Sequence, residues 1–456
     1  MAGKKKQAQL TPEEKLQQAL VPEDEQPYKV PANWCWVKAG IVTNIFNGNS
    51  INEKIKAEKY YGKKEGLIFI ATKDIGFDNV VNYETNVKIT DYQNFKIAPA
   101  NTALLCIEGG SSGRKVGFVD QNVCFGNKLC AFASNIINSK FIYYVLQSQC
   151  FYDQFNNKRH GLIGGVSIKD LAEMYFMIPP LAEQQRIVER IESLFAKLDE
   201  AKENMQNVLD GFETRKAAIL HKAFTGELTA NWRKQHGVSM DSWEEKCVSE
   251  ICKNLKYGTS KKSELNGLVA VIRMGNLQNG EIDWNNLAYT DDEEDIKKYS
   301  LKKGDVLFNR TNSPELVGKT AIYRGEFPAI YAGYLIKLDY NENIINGEYF
   351  NYLMNSIRAK EYCQLVKTDG VSQSNINAKK IGAFQIPVPK LEEQTEIVRI
   401  IDDLLAKEQQ AKELAENALA KIDLIKKSIL ARAFRGELGT NNPADESAVE
   451  LLKRVL

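Results

Sequence analysis

Glu108–Lys115 reads EGGSSGRK and comes nearest to a nucleotide-phosphate loop. Its glycines and lysine are the right types, but the spacing is not GxxxxGK and no Ser or Thr follows Lys115. Acid–base and metal chemistry have little to draw on. The chain holds three histidines, His160, His221 and His236, and eight scattered cysteines with no CxxC pair. It has no GxSxG elbow. It also has neither the NPPY-type loop nor the glycine-rich cofactor loop that an adenine methyltransferase needs. His160 reads as a loop residue. Glu227 and Glu437 each adjoin a glycine and read as capping or partner-contact residues rather than catalytic acids. The expectation is a binding protein with no catalytic residue and no metal site.

These residues sit in a chain of 456, with 43% hydrophobic and 26% charged residues, an ordinary balance for two to four globular domains. No apolar run approaches the roughly 18 residues that cross a bilayer. The basic start MAGKKKQAQLTPEEKL leads into no apolar core of a secretory signal. Scattered thiols without pairing suit a reducing compartment, so a cytoplasmic location is expected, without membrane contact. The net charge of +1 gives no sign of an anionic partner unless a basic face is hidden within it.

The main signal is an internal repeat. Shifted by 210 positions, Leu181–Leu228 aligns with Leu391–Leu438 without a gap, with 22 identities in 48 positions. AFTGEL closes the first segment and AFRGEL the second. Upstream the match is weaker: INSKFIYYVLQS (Ile137–Ser148) lies over INGEYFNYLMNS (Ile345–Ser356) at a shift of 208. The chain therefore reads as two copies of one unit, a mixed α/β globular part followed by a long helix. Prolines open each helix, in Ile178–Pro180 and Ile386–Pro389, and Gly226 and Gly436 suit left-handed C-terminal caps. The span Leu181–Ala223 would be roughly 65 Å long.

Each helix carries an apolar seam in steps of four and three. The first runs through Ile187, Ile191, Leu194, Leu198, Ala201, Met205, Val208, Phe212 and Ile219, with Arg215 as its one break. The second runs through Ile397, Ile401, Leu404, Ala411, Ala415, Ala418, Ile422, Ile425 and Ile429, with Glu408 as its break. Small residues in the second face larger ones in the first, so the two helices are expected to pair with each other. Trp34, Trp36, Trp243 and Trp284 read as anchors of the domain cores.

The stretches IPPLAEQQRIVERIE with AFTGEL and IPVPKLEEQTEIVRIID with AFRGEL resemble the specificity subunit of type I restriction–modification enzymes. The opening EKLQQALVPEDEQPYKVPANWCWVKAG and the GELTANWR after the first helix are similar to the same family. The resemblance implies an α/β (α+β) fold. In it, two similar target recognition domains are separated by two long helices paired as an antiparallel coiled coil, a pseudo-two-fold internal repeat. The expected divisions are an N-terminal segment at 1–30 packing on the helical region, recognition domains at 31–178 and 233–386, helix-and-cap segments at 179–232 and 387–440, and a tail at 441–456. Double-stranded DNA with a bipartite, asymmetric site is the implied ligand. Two methyltransferase subunits and restriction–translocase subunits are the implied partners, and they would carry S-adenosylmethionine, ATP and Mg, so this chain itself needs no cofactor. The alternatives are a non-catalytic coiled-coil adaptor, a specificity unit serving methylation alone or another DNA-defence system, and a methyltransferase fusion.

Under this resemblance the polar loops become candidates for DNA contact, since Arg, Lys, Asn, Gln and Ser/Thr supply base-edge and phosphate hydrogen bonds. In the first domain these are Ser111, Ser112, Arg114 and Lys115, then Asn157, Lys158 and Arg159. In the second they are Arg273, then Arg310, Thr311, Asn312, Ser313 and Lys319, then Lys367, Ser372, Gln373 and Asn375. Phe224, Gly226 and Glu227, with Phe434, Gly436 and Glu437, are the expected docking residues for partner subunits.

Overall fold

The computed structural model describes residues 11–160 and 164–456. Met1–Leu10 and Gly161–Ile163, which belong to the N-terminal segment and to one candidate loop region, lie outside the described residues. The chain separates into two compact units. One comprises residues up to Asn204 together with Ala418–Leu456; the other is Met205–Asn417. Each unit thus takes a globular part, the start of the helix that follows it, and the end of the other copy's helix.

In the first unit a four-stranded antiparallel sheet has the order Asn44–Asn47, Leu129–Ala133, Thr102–Cys106, Val116–Val119. Its central strand, TALLC, is buried along its whole length. Alternation along a strand sends successive side chains to opposite faces. Ala103 and Leu105 join the core beneath the helices Ser139–Leu146 and Gln149–Asn157, while Leu104 and Cys106 join the core of a second, mixed sheet. Cys35–Lys38 pairs with Tyr175–Ile178, tying the start of the domain to its end. The short helix Pro12–Ala19 packs against Ala448–Lys453, and Lys15 Nζ donates to the Leu456 carbonyl at 2.8 Å.

The second unit repeats the plan. Its main sheet runs Cys252–Tyr257, Leu335–Tyr340, Val306–Asn309, Thr320–Ile322. Val306 and Phe308 face the core under helices Gly347–Met354 and Ile357–Val366, and Leu307 faces the other side. Glu244–Cys247 pairs with Gln385–Val388.

The helices differ between copies. The second runs unbroken over Leu391–Ala433, whereas the first divides into Leu181–Asp210 and Phe212–Phe224. Arg215 explains the division: its Nη2 donates to the Val208 carbonyl at 2.8 Å, an acceptor that an unbroken helix would give to its own backbone. Gly211 makes this possible, because an added Cβ would lie 2.3 Å from Arg215 Nη1.

The helices contact each other inside each unit. In the first, Lys426 Nζ lies 2.6 Å from Asp199 Oδ1 and 5.1 Å from the centre of the Phe195 ring, while Ile187 and Ile191 share a core with Leu430 and Phe434. In the second, Arg215 meets Glu408, Lys412 lies over Phe212, and Leu220 and Phe224 share a core with Ile397 and Ile401. Within each unit the paired segments run in opposite directions. Ile187, Ile191, Ile397, Ile401, Ala415 and Ile422 are buried, and Leu194, Leu198, Met205, Val208, Phe212, Leu404 and Ala418 are partly so. Two expected seam residues are not in the seam: Ala411 and Ile425 are exposed. A helix of 3.6 residues per turn drifts against a strict seven-residue count, and over this length the drift carries both positions outward.

Candidate nucleic-acid interface

The residues that repeat between the copies hold each globular part to the helices. Glu183 and Gln184, in the first turn of the first helix, are completely buried, as are Glu393 and Gln394 in the second. Gln184 Oε1 accepts from the Asn138 amide at 2.8 Å, and Gln394 Oε1 accepts from the Asn346 amide at 2.7 Å. Asn138 and Asn346 cap the domain helices that follow. Trp34 Nε1 donates to Glu183 at 2.8 Å, and Trp243 Nε1 donates to Glu393 at 3.0 Å. These glutamates and glutamines were not among the expected functional residues. Their signal was their recurrence as EQ in both copies.

The repeated caps close the same joints. Phe224 packs edge-on against Tyr349 at 5.3 Å, and Phe434 packs against Phe141 at 5.6 Å. Burial holds the Tyr349 phenol well above its ordinary range. Gly226 and Gly436 take left-handed conformations with φ of 79° and 76°. An added Cβ would lie 2.7 Å from Met240 Sδ at the first and 2.4 Å from Pro31 Cγ at the second. Of the residues expected to dock a partner, Phe224 and Phe434 are buried inside their own unit, and Gly226 and Gly436 serve close backbone turns. Glu227 and Glu437 remain exposed.

In each unit these joints leave two polar loops side by side. In the second unit, Thr311–Asn312 pairs with Ser374–Asn375, which pairs with Thr368–Asp369. Arg310 links them: its Nη2 donates to Asn375 Oδ1 at 3.1 Å, and its guanidinium lies 4.9 Å from the centre of the Tyr257 ring. Asn375 Nδ2 donates to Thr311 Oγ1 at 2.8 Å. Val371, Ser372 and Gln373 are exposed between the last two strands, and Asn312 Oδ1 caps the Ser313 amide at 2.8 Å. Lys319 and Lys367 line a cleft of about 600 Å³ together with Lys216 and Lys360. Arg273 does not join this cluster; its Nη2 donates to the Asn286 carbonyl at 2.6 Å.

The first unit reaches a similar arrangement with different residues. Arg159 Nη2 donates to Ser112 Oγ at 2.8 Å and also to the Ser112 carbonyl, and its guanidinium lies 5.7 Å from the centre of the Phe155 ring. Arg114 is exposed, and its Nε donates to the Tyr152 hydroxyl at 3.4 Å, which holds that phenol below its ordinary range. Lys115 lies over Phe77 at 4.8 Å. Asn157 and Lys158 are exposed at the end of their helix, and Ser111 Oγ lies 3.3 Å from Cys106 Sγ. Ser112 does not face outward as expected. It is completely buried, and its hydroxyl donates to the Gly164 carbonyl at 3.1 Å, so it orders the loop.

Arg159 and Arg310 thus play matching parts. Each lies against an aromatic ring, each ties two polar loops together, and each keeps a buried Nε with no hydrogen-bond partner. Tyr257 and Tyr152 carried no signal in the sequence and Phe155 only its place in a candidate loop, because their relation to the arginines is made by the fold alone.

The family described as the type I restriction modification DNA specificity domain matches residues 31–209 and again 240–417. The chain is 27% identical over 456 residues to the EcoKI type I restriction enzyme specificity subunit of Escherichia coli strain K12, covering 94% of this chain and 96% of that one. It is 26% identical over 451 residues to the StySPI specificity subunit of Salmonella potsdam, with the same coverage. Its fold is similar to the crystal structure of the HsdS subunit from Thermoanaerobacter tengcongensis, with a TM-score of 0.62 at 17% identity, covering 91% of this chain and 100% of that one. Among the described residues no helix is long and apolar enough to cross a membrane.

Proposed function

The chain belongs to the type I restriction–modification DNA specificity family, and from that premise we propose that it is the DNA-reading subunit of such a complex. Its two target recognition domains read one half each of a bipartite, asymmetric site. The observation that carries this reading is the loop cluster present once per unit, Arg159 with Ser112 in one and Arg310 with Asn375 in the other. Base-edge readers are exposed beside each: Asn157 and Lys158 in the first, Ser372 and Gln373 in the second. Lys319, Lys367 and Arg114 supply phosphate contacts, which position the domain without reading sequence.

The two helices form an antiparallel coiled coil that fixes the spacing of the half-sites. The chain does no chemistry itself. Two methyltransferase subunits bring S-adenosylmethionine and restriction–translocase subunits bring ATP and Mg. Glu227 and Glu437, the exposed members of the repeated caps, contact the methyltransferases. The test is single-molecule methylome sequencing of cells expressing this chain with its cognate methyltransferase. A new N6-methyladenine motif of two short half-sites around unspecified bases is expected. An intact complex that produces no new motif contradicts the reading.

A further inference from the structure

The two breaks in the apolar seams are partners of each other. Arg215 Nε donates to Glu408 Oε2 at 2.7 Å, and both side chains are partly buried. Under the shift of 210, Arg215 stands where the second copy has Ile425, and Glu408 stands where the first copy has Leu198. This charged pair therefore has no counterpart at the equivalent positions of the other unit.

A duplicated helix faces a choice of partner. The first copy can pair with the second copy of its own chain. It can also pair, in the same register, with the first copy of another chain, because the two copies share their seam pattern. Pairing like with like sets Arg215 against Leu198 of a second molecule and Glu408 against Ile425 of a second molecule. The first strands a charge against a partly buried aliphatic side chain, and the second leaves Glu408 without its cation beside Ile425, which is exposed. We infer that the Arg215–Glu408 pair selects pairing of the unlike copies within one chain and rejects pairing of like copies between two chains. A polar residue in an otherwise apolar seam acts in this way on partner choice.

The other cross-helix ion pair discriminates only against pairing of second copies, where Gln409 stands at the position of Asp199. Lys426 binds Asp199, but the position equivalent to Lys426 in the first copy is Lys216. Like pairing of first copies would keep an ion pair there. Side-chain size points the same way as the Arg215–Glu408 pair. The first copy has Met205 and Val208 where the second has Ala415 and Ala418. Like pairing would set Met205 against Val208 and Ala415 against Ala418, crowding one seam and leaving the other thin.

The inference rests on the helix contacts within the unit Met205–Asn417 and not on DNA reading, so the test reads chain mass alone. Arg215→Ile combined with Glu408→Leu gives each position the residue of its counterpart. On light scattering of the full chain, wild type stays monomeric, and the double variant's dimer fraction rises by about tenfold or more at equal concentration. Arg215→Glu combined with Glu408→Arg keeps a reversed pair and stays monomeric, which carries the test even where the apolar variant folds poorly. A folded apolar variant that stays as monomeric as wild type overturns the inference, and so does a reversed pair that dimerises.

Discussion

The joints that hold the helices to the two globular parts share a frame and differ in chemistry. In the second unit Glu393 is bound by a cation: Arg233 Nη1 donates to it at 2.6 Å, with Thr229 Oγ1 at 2.7 Å and Trp243 at 3.0 Å. In the first unit Glu183 has neutral donors instead, Trp34 at 2.8 Å, Asn441 Nδ2 at 2.9 Å and Thr440 Oγ1 at 3.3 Å. The carboxylate sits at a helix N-terminus in both, where the backbone favours negative charge. Repetition has kept the carboxylate, the tryptophan and the glutamine, and has let the remaining donors change. A buried carboxylate requires satisfied hydrogen bonds, and either set supplies them.

The two joints should therefore break differently. The largest effect is expected from Glu393→Gln, which leaves Arg233, with a side chain only 8% exposed, without its counter-charge. The cost is about 3–5 kcal/mol, and hydrogen exchange should accelerate within Met205–Asn417 while the other unit keeps its protection. Glu183→Gln strands no cation and should cost about 1–3 kcal/mol through weakened hydrogen bonds, with exchange rising only in the first unit. Equal costs for the two variants would erase the contrast.

Next come the arginines that tie the loops. Arg310→Ala should weaken binding of cognate DNA by about 1–3 kcal/mol. Arg159→Ala should do the same through the other half-site. Titrations at several salt concentrations measure both, and unchanged affinity for either variant removes that arginine from the interface. The smallest effect is expected at Asp199→Ala, which breaks the pair with Lys426 at a side chain 57% exposed. That should cost about 0.2–1 kcal/mol in chemical denaturation. A larger loss would mean that the outer parts of the seams carry more of the pairing than their exposure implies.

Much of the frame was legible in the sequence. Apolar residues at steps of four and three marked the helices, and the gap-free repeat marked the duplication. The breaks were visible as breaks, but Arg215 and Glu408 are 193 positions apart, and nothing local declares two such residues to be partners. Glu183 and Glu393 were not singled out in the sequence, because burial of a carboxylate depends on a tryptophan brought from far along the chain. A repeated motif does not say whether it faces inward or outward, which is why Phe224 and Phe434 read as docking residues and proved to be core. Ser112 misled in the same way: a serine in a glycine-rich loop has the chemistry of a contact residue, and only the packing of Arg159 and Gly164 around it hides it. The loop candidates Arg310 and Asn375 were chosen as separate stretches, and the short strand pairing of Thr311–Asn312 with Ser374–Asn375 makes them one surface.

The central claim is that each unit reads its own half of the site. The most direct measurement maps N6-methyladenine across a genome in cells carrying the cognate methyltransferase with either wild-type chain or a Ser372→Ala, Gln373→Ala variant. The account predicts that the variant relaxes or changes one half-site while the other half and the spacing stay as in wild type. Changes in both halves, or in neither with methylation intact, would contradict it.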